Sequence, residues 1–428
     1  MNVHINPAPA AWPDLLRRPA MEAANLDDTV SKILEAVKNR KNEALFELTE
    51  RFDKVKINSL KVTPAEVDAA AKQVPAVLKS AIQTAYENIL SFHKQQFEGI
   101  REIETMPGVR CWRKSVAIEK VGLYIPGGTA PLFSSVLMLG VPAKIAGCRE
   151  VVLCTPPGKD GNIHPAILYT ASLIGIQDIF KIGGAQAVAA MAYGTQSVPS
   201  VYKIFGPGNQ YVTAAKQLVS RQGVAIDMPA GPSEVLVYAE RSAFPEFVAA
   251  DLLSQAEHGV DSQVVLLAET EEMAYKVNQA IEAQIEPLPR REIARAALEN
   301  SVAIVLPDRE QAIRLINEYA PEHLILALED ARSIGEKIVN AGSVFLGHYT
   351  PESVGDYASG TNHTLPTDGY ARMYSGVSLD SFVKKITFQE LSQEGIQQVG
   401  PVVEAMAEAE ALMAHKNAVS IRLKKLEQ

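Results

Sequence analysis

Cysteine is scarce: three in 428 residues, Cys111, Cys148 and Cys154, with no C-x-x-C pair. That excludes a disulfide framework and leads us to expect a reducing compartment, the cytoplasm. Basic charge is also short, 41 Lys and Arg against 50 Asp and Glu for a formal net charge of -9, and the cations are scattered among acids. Neither nucleic acid nor an anionic membrane is therefore an expected partner. No apolar run reaches the length of a membrane span, and the opening MNVHINPAPAAWPDLLRRPA lacks a signal-peptide core. Short-period repeats and low-complexity tracts are missing too. What is plentiful is apolar side chain, 47% of residues, enough for the cores of two or three domains. The composition describes an intracellular protein, expected to be an enzyme.

Periodicity changes along the chain. DDTVSKILEAVKNRKNEALFELTERF and TPAEVDAAAKQVPAVLKSAIQTAYENILSFHKQQ repeat apolar residues at helical spacing, and Thr63 before Pro64 is a natural N-cap. From about residue 117, β-branched runs (AIEKVGLYI, EVVLC, DIFKIGG, VYKIF) alternate with helical stretches, which predicts a doubly wound parallel sheet. SEVLVYA, SQVVLLA, VAIVLP, LILAL and SVFLG predict a second. The fold class expected is α/β, two Rossmann-like doubly wound domains with a helical N-terminal region and a helical C-terminal tail. The expected divisions are an arm over 1–24, a discontinuous domain over 25–120 and 235–377, a nucleotide-binding domain over 121–234, and a tail over 378–428. In this scheme the N-terminal helices pack on the second sheet.

Three strand-to-helix loops of the first sheet are glycine-rich: YIPGGTAP (124–131), IGGAQA (182–187) and FGPGNQ (205–210). Free backbone N–H groups at such helix starts favour phosphate. None completes the dinucleotide fingerprint, since Gly206 and Gly208 are followed by Asn209, Gln210 and Tyr211 without a third glycine. One such loop is ordinarily a turn; three on one sheet edge suggest a nucleotide-like ligand.

Eight histidines occur in unlike settings. His4, His93, His164 and His348 have no acid-rich neighbourhood and are expected to be structural or solvated. Four others keep polar company: His258 after Glu257, His323 after Glu322, His363 in GDYASGTNHTLP, and His415 in AEAEALMAHKN. A histidine at a helix end or beside a carboxylate is explained without function. Together, however, they offer imidazoles and oxygen donors suited to a divalent metal. Gln255 and His258 stand three apart at the end of FVAADLLSQAEHG, a helix expected to close on a left-handed Gly259. Asp356 falls in a glycine-flanked loop and His415 in the tail, with Glu410 about 140° away around that helix. Glutamine is an unusual zinc ligand, and spacing does not say that these residues meet.

The stretch IDMPAGPSEVLVYAERSAFPEFVAADLLSQAEHG (226–259) resembles the signature of the histidinol dehydrogenase family. So do YIPGGTAPLFSSVLMLGVPAKIAGC, IGGAQAVAAMAYGT, IFGPGNQYVTAAK, YAPEHLIL, AGSVFLG, GDYASGTNHTLPT and AHKNAV, in the family's order, and the resemblance runs from about residue 18 to the end. It implies oxidation of L-histidinol to L-histidine with two NAD, in an aldehyde dehydrogenase-like fold, by a zinc-dependent homodimer with one ion per subunit. Carried onto this sequence, it implies Gln255, His258, Asp356 and His415 as metal ligands, His323 as the base for the alcohol and Glu322 as the activator of water. Ser233 and Glu410 would join them around the substrate; Tyr124, Gln186 and Asn209 would contact NAD. The tail, with Glu410 and His415, would reach the partner subunit's site. His363 matches a family histidine, with no role assigned.

Other chemistries are weighed beside it. A thiohemiacetal route would use Cys154, but a strand cysteine without a nearby cation is ordinarily a buried hydrophobe. A metal-dependent hydrolase or deaminase would leave the glycine-rich loops idle. A non-catalytic nucleotide-binding protein would not need four metal-type ligands.

Overall fold

The computed structural model describes residues 1–19, 26–127, 130–229 and 231–428. The boundary expected at 24/25 lies outside them, as do Gly128 and Thr129 of the first glycine-rich loop. The chain divides into two compact units, Met1–Gln95 with Ile118–Phe382, and Gln96–Ala117 with Val383–Gln428.

The first unit holds two all-parallel sheets. One runs Asp178–Lys181, Glu150–Thr155, Lys120–Tyr124, Lys203–Phe205, Ala225–Ile226 in spatial order. The other runs Asn2–Ile5, Val302–Val305, Gln263–Ala268, Glu234–Ala239, His323–Ala327, Ser343–Leu346. Asn2–Ile5 aside, in each the strand first in sequence is central, the next two step out to one side and the last two to the other. This is the doubly wound order. The burial is complete along Glu234–Ala239 and Gln263–Ala268, as strands covered on both faces require.

The N-terminal helices differ from expectation in their placement. Leu26–Arg40 and Asn42–Asp53 pack with Gly184–Tyr193 and Gln210–Ser220 on one face of the five-stranded sheet. Pro64–Gln73 and Ala76–Lys94 pack with Pro165–Ile174 and Phe133–Ala146 on the other. The chain between them fastens both pairs to that sheet. Lys181 N–H donates to the Leu60 carbonyl at 2.7 Å, and Val62 N–H to the Ile179 carbonyl at 2.9 Å. The Thr63 cap is present as a full capping box with Glu66. An apolar stripe says that a helix packs, but not on which sheet.

At the carboxyl edge of the six-stranded sheet, where a doubly wound fold ordinarily takes its ligand, Glu240 fills the space beyond the adjacent strands Glu234–Ala239 and His323–Ala327. It accepts from Ser242 Oγ and Glu329 N–H, both at 2.6 Å, and from Arg309 Nη2 at 2.7 Å. The candidate site residues of that sheet, Glu322 and His323 among them, lie at its opposite, amino edge.

The second unit is a three-stranded antiparallel sheet, Val383–Leu391, Val109–Ala117 and Ile103–Met106, with the helices Gln393–Ala409 and Met413–Leu426. Trp112 stacks on Phe388 at 5.4 Å across two of its strands. The tail, expected to be helical from 378, thus begins with a nine-residue strand; its partner lies some 270 residues earlier, out of reach of local pattern. No helix among the described residues is long and apolar enough to cross a membrane.

Candidate active site

Gln255 occupies the last turn of the helix Pro245–Ala256, whose axis runs back against the strands and delivers its C-terminus to the amino edge of the six-stranded sheet. The helix closes on Glu257 in right-handed geometry (φ -75°, ψ -7°), and Gly259 has no positive φ, so the expected left-handed cap is not formed. His258 N–H donates instead to the Gln255 carbonyl at 3.2 Å, a tight turn that leaves the imidazole exposed just beyond a buried amide.

Gln255 Nε2 donates to the Glu234 carbonyl at 3.1 Å and meets His323 Nδ1 at 3.0 Å. His323 is the first residue of its strand, next to Glu234 in the sheet, and almost wholly buried. Its Nε2 faces Asp356 Oδ1 at 3.2 Å, and its Nδ1 lies 3.6 Å from Glu322 Oε2. Glu322 in turn accepts the Glu234 N–H at 2.9 Å. Three segments therefore bring Gln255, Glu322, His323 and Asp356 into one buried cluster. Asp356 sits in the short helix Glu352–Tyr357 rather than in a loop.

Charge governs this cluster. Burial alone would lower the proton affinity of His323, yet the Glu322 charge and the hydrogen bond to Asp356 outweigh it, raising the imidazole well above its ordinary value. Burial likewise works against the Asp356 carboxylate, but His323, then His363 and His258, hold it below the usual range. His363 is the strut of the site: Nδ1 donates to the Asp356 carbonyl at 2.8 Å, and Nε2 accepts from Ser135 Oγ at 3.0 Å. Burial pushes this histidine down, consistent with a neutral ring that joins the helix Phe133–Ala146 to the Asp356 helix. Ser233 immediately precedes the Glu234 strand, half-buried.

Two contributors carried little signal in the sequence. Glu234, 2% exposed, is gripped through both carboxylate oxygens by Arg18 at 2.6 and 2.8 Å. A glutamate opening an otherwise apolar strand was the visible hint; its arginine lies more than 200 residues earlier. Glu352, one turn before Asp356, accepts from Ser254 Oγ at 2.7 Å and is pushed up to about 8 by burial.

The donor set suits a divalent cation. Gln255 Oε1, Asp356 Oδ2 and the His258 ring accept no hydrogen bond among the described residues, so their lone pairs are available. No group of three or more His, Cys, Asp or Glu that could hold a metal occurs among those residues; one of the three donors here is an amide. Glu410 and His415 belong to the second unit, where Glu410 ends the helix Gln393–Ala409 and His415 opens Met413–Leu426, both exposed.

At the carboxyl edge of the five-stranded sheet, Tyr124, Gln186 and Asn209 line one cavity of about 1520 Å³. Tyr124 ends its strand; its hydroxyl accepts the Gly184 N–H at 3.0 Å, and burial keeps it a phenol by pushing it up to about 12. Gln186 is buried in the first turn of its helix and makes no hydrogen bond among the described residues. Asn209 caps the next helix, Oδ1 accepting from Tyr211 and Val212 N–H, which leaves Nδ2 to a ligand. Gly206 is required here: its φ is +128°, and a Cβ would stand 2.0 Å from the Tyr124 carbonyl oxygen. Gln186 and the Asn209 Nδ2 thus leave unspent polar groups at two helix starts in this cavity, a setting that favours a phosphate-bearing ligand. Cys154 is fully buried and burial pushes its thiol up, so it offers no nucleophile.

The family profile described as histidinol dehydrogenase matches residues 16–423. The histidinol dehydrogenase of Bacteroides thetaiotaomicron is 61% identical over 421 residues, covering 98% of each chain. That of Photobacterium profundum is 55% identical over 417 residues, covering 97% of this chain and 93% of its own. A crystal structure of histidinol dehydrogenase from Elizabethkingia anophelis superposes with a TM-score of 0.98 at 56% identity, covering 100% of this chain and 99% of that one. An acetylating aldehyde dehydrogenase from Geobacillus thermoglucosidasius shares the fold alone, with a TM-score of 0.50 at 14% identity over 89% of this chain and 93% of its own.

Proposed function

This chain belongs to the histidinol dehydrogenase family, and from that premise we propose how its residues perform the reaction. Two successive NAD-dependent oxidations take L-histidinol through L-histidinal to L-histidine, the closing steps of histidine biosynthesis. The observation that carries the assignment of roles is the meeting of Gln255, Glu322, His323 and Asp356 in one buried cluster.

We assign one zinc per subunit to Gln255 Oε1, His258, Asp356 and His415, the last supplied by the second copy of a homodimer, with Ser233 and Glu410 around the amino alcohol. Their unspent lone pairs support the first three. We assign NAD to the cavity of Tyr124, Gln186 and Asn209, and the reaction to the cytoplasm, with which three unpaired cysteines agree. When bound, the ion orients the substrate and the dinucleotide accepts hydride.

In the alcohol step His323 takes the hydroxyl proton on Nε2, the nitrogen turned to Asp356. With a cation held by Asp356, that carboxylate would offer the imidazolium less support, which would favour Nε2 as the acceptor of this proton. In the aldehyde step Glu322 removes a proton from water as its oxygen adds to the carbonyl carbon, and the hydrated aldehyde then loses its hydride. His363 holds the Asp356 segment in place throughout. The test is NADH formed per histidinol consumed. Two is expected; one would describe an enzyme that stops at the aldehyde, and none a hydrolase or deaminase.

A further inference from the structure

Four carboxylates line the 1520 Å³ cavity: Glu47, Asp53, Glu66 and Asp160. Three are already engaged. Glu47 pairs with Arg40, Glu66 with Lys181 and its own helix cap, and Asp160 with the backbone and side-chain amides of Asn162. Asp53, the last residue of the helix Asn42–Asp53, has no hydrogen bond or ion pair among the described residues, and its Oδ2 is buried. Burial pushes this carboxyl up to about 6, with no cation to offset it. Elsewhere in the unit Glu234 and Asp227 are matched by Arg18 and Lys216, while Asp251 and Glu352, which also lack an ion pair among the described residues, lie outside this cavity. An unsatisfied acceptor in a cavity wall is a cost that a ligand can relieve by bringing donors.

A vicinal diol brings two O–H donors at the spacing of one carboxylate. NAD carries two, one on each ribose. The helix Phe133–Ala146, whose Ser135 touches His363, lies on one face of the five-stranded sheet, and the Asp53 helix packs on the other. The hydride-accepting end must reach the His323 and Asp356 cluster, which leaves the adenosine end to Asp53. We propose that Asp53 binds the adenosine ribose diol of NAD and is the residue that disfavours NADP, whose 2′-phosphate would meet a carboxylate. This rests on the assignment of NAD to that cavity.

Calorimetric titration of the zinc-loaded enzyme with NAD and with NADP, for wild type, Asp53→Asn and Asp53→Ala, tests it. Wild type should favour NAD, and Asp53→Ala should weaken NAD about 10–100-fold, the loss of charge-assisted bonds. NADP should be unaffected or bind better, so the preference shrinks. The ligand-free variants should melt no lower than wild type, because an unsatisfied carboxylate is removed, while the rise in Tm produced by NAD diminishes. Unchanged NAD affinity in both variants overturns the proposal, as do equal losses for NAD and NADP. Amide hydrogen exchange keeps the two assignments apart: in wild type NAD should protect the starts of Gly184–Tyr193 and Gln210–Ser220. If it protects neither, the cavity is not the NAD site and the proposal falls with that assignment; protection with an indifferent Asp53 overturns only the proposal.

Discussion

Replacing Glu322 by glutamine should separate the two half-reactions. The substitution keeps shape, and an amide oxygen can still accept the Glu234 N–H now held at 2.9 Å. Folding should lose the difference between a charge-assisted and a neutral hydrogen bond, about 1 kcal/mol, together with the attraction between Glu322 and the His323 imidazolium. Chemistry loses more. Without a proton acceptor for water, aldehyde oxidation should slow by about 10²–10⁴-fold, or about 2.7–5.4 kcal/mol on the barrier. The alcohol step should respond differently, because Glu322 heads the influences that raise His323. Removing that charge lowers the imidazole's proton affinity, so the rising limb of the pH profile for histidinol oxidation should move to lower pH. Single-turnover measurements started separately from histidinol and from histidinal, across pH, read both effects. Equal losses from the two substrates, with no movement of the alcohol profile, would refute the division of labour.

Purified enzyme should hold about one divalent ion per chain; chelation should abolish activity that zinc restores, and His258→Asn should lose most of the metal by elemental analysis. Arg18→Ala leaves Glu234 buried and unpaired, which should destabilise the fold by about 3–5 kcal/mol in denaturant titration, and adding Glu234→Gln should recover part of it. If the tail serves a neighbouring site, a heterodimer of His258→Asn with His415→Asn, each inactive alone, should regain about half of wild-type activity, since one site collects both lesions and the other neither. A heterodimer as inactive as its parents would exclude a shared site.

Much of this architecture was legible in the sequence. From Lys120–Tyr124 to Ser343–Leu346, nine of ten strands match an apolar β-branched run to within a residue, because a strand buried on both faces must be continuously apolar; the two-residue Ala225–Ile226 is the exception. The three glycine-rich loops announced the edge at which Tyr124, Gln186 and Asn209 meet, since only helix starts after strands need such turns. The long motifs shared with the family pointed to Gln255, His258, Glu322, His323 and Asp356.

Tertiary structure decided what depends on distant partners. Which sheet receives the N-terminal helices was settled by the backbone bonds of Leu60 and Val62 to the strand Asp178–Lys181, invisible to any helical period. The strand Val383–Leu391 exists because Val109–Ala117 lies beside it. The proton affinity of His323 is raised because Glu322 and Asp356 close on it in a buried space. Likewise Arg18 and Glu234, or Ser135 and His363, are unrelated letters until the fold brings them together. Periodicity and local chemistry are properties of neighbours in sequence and can be read there, whereas electrostatics and hydrogen bonding depend on neighbours in space.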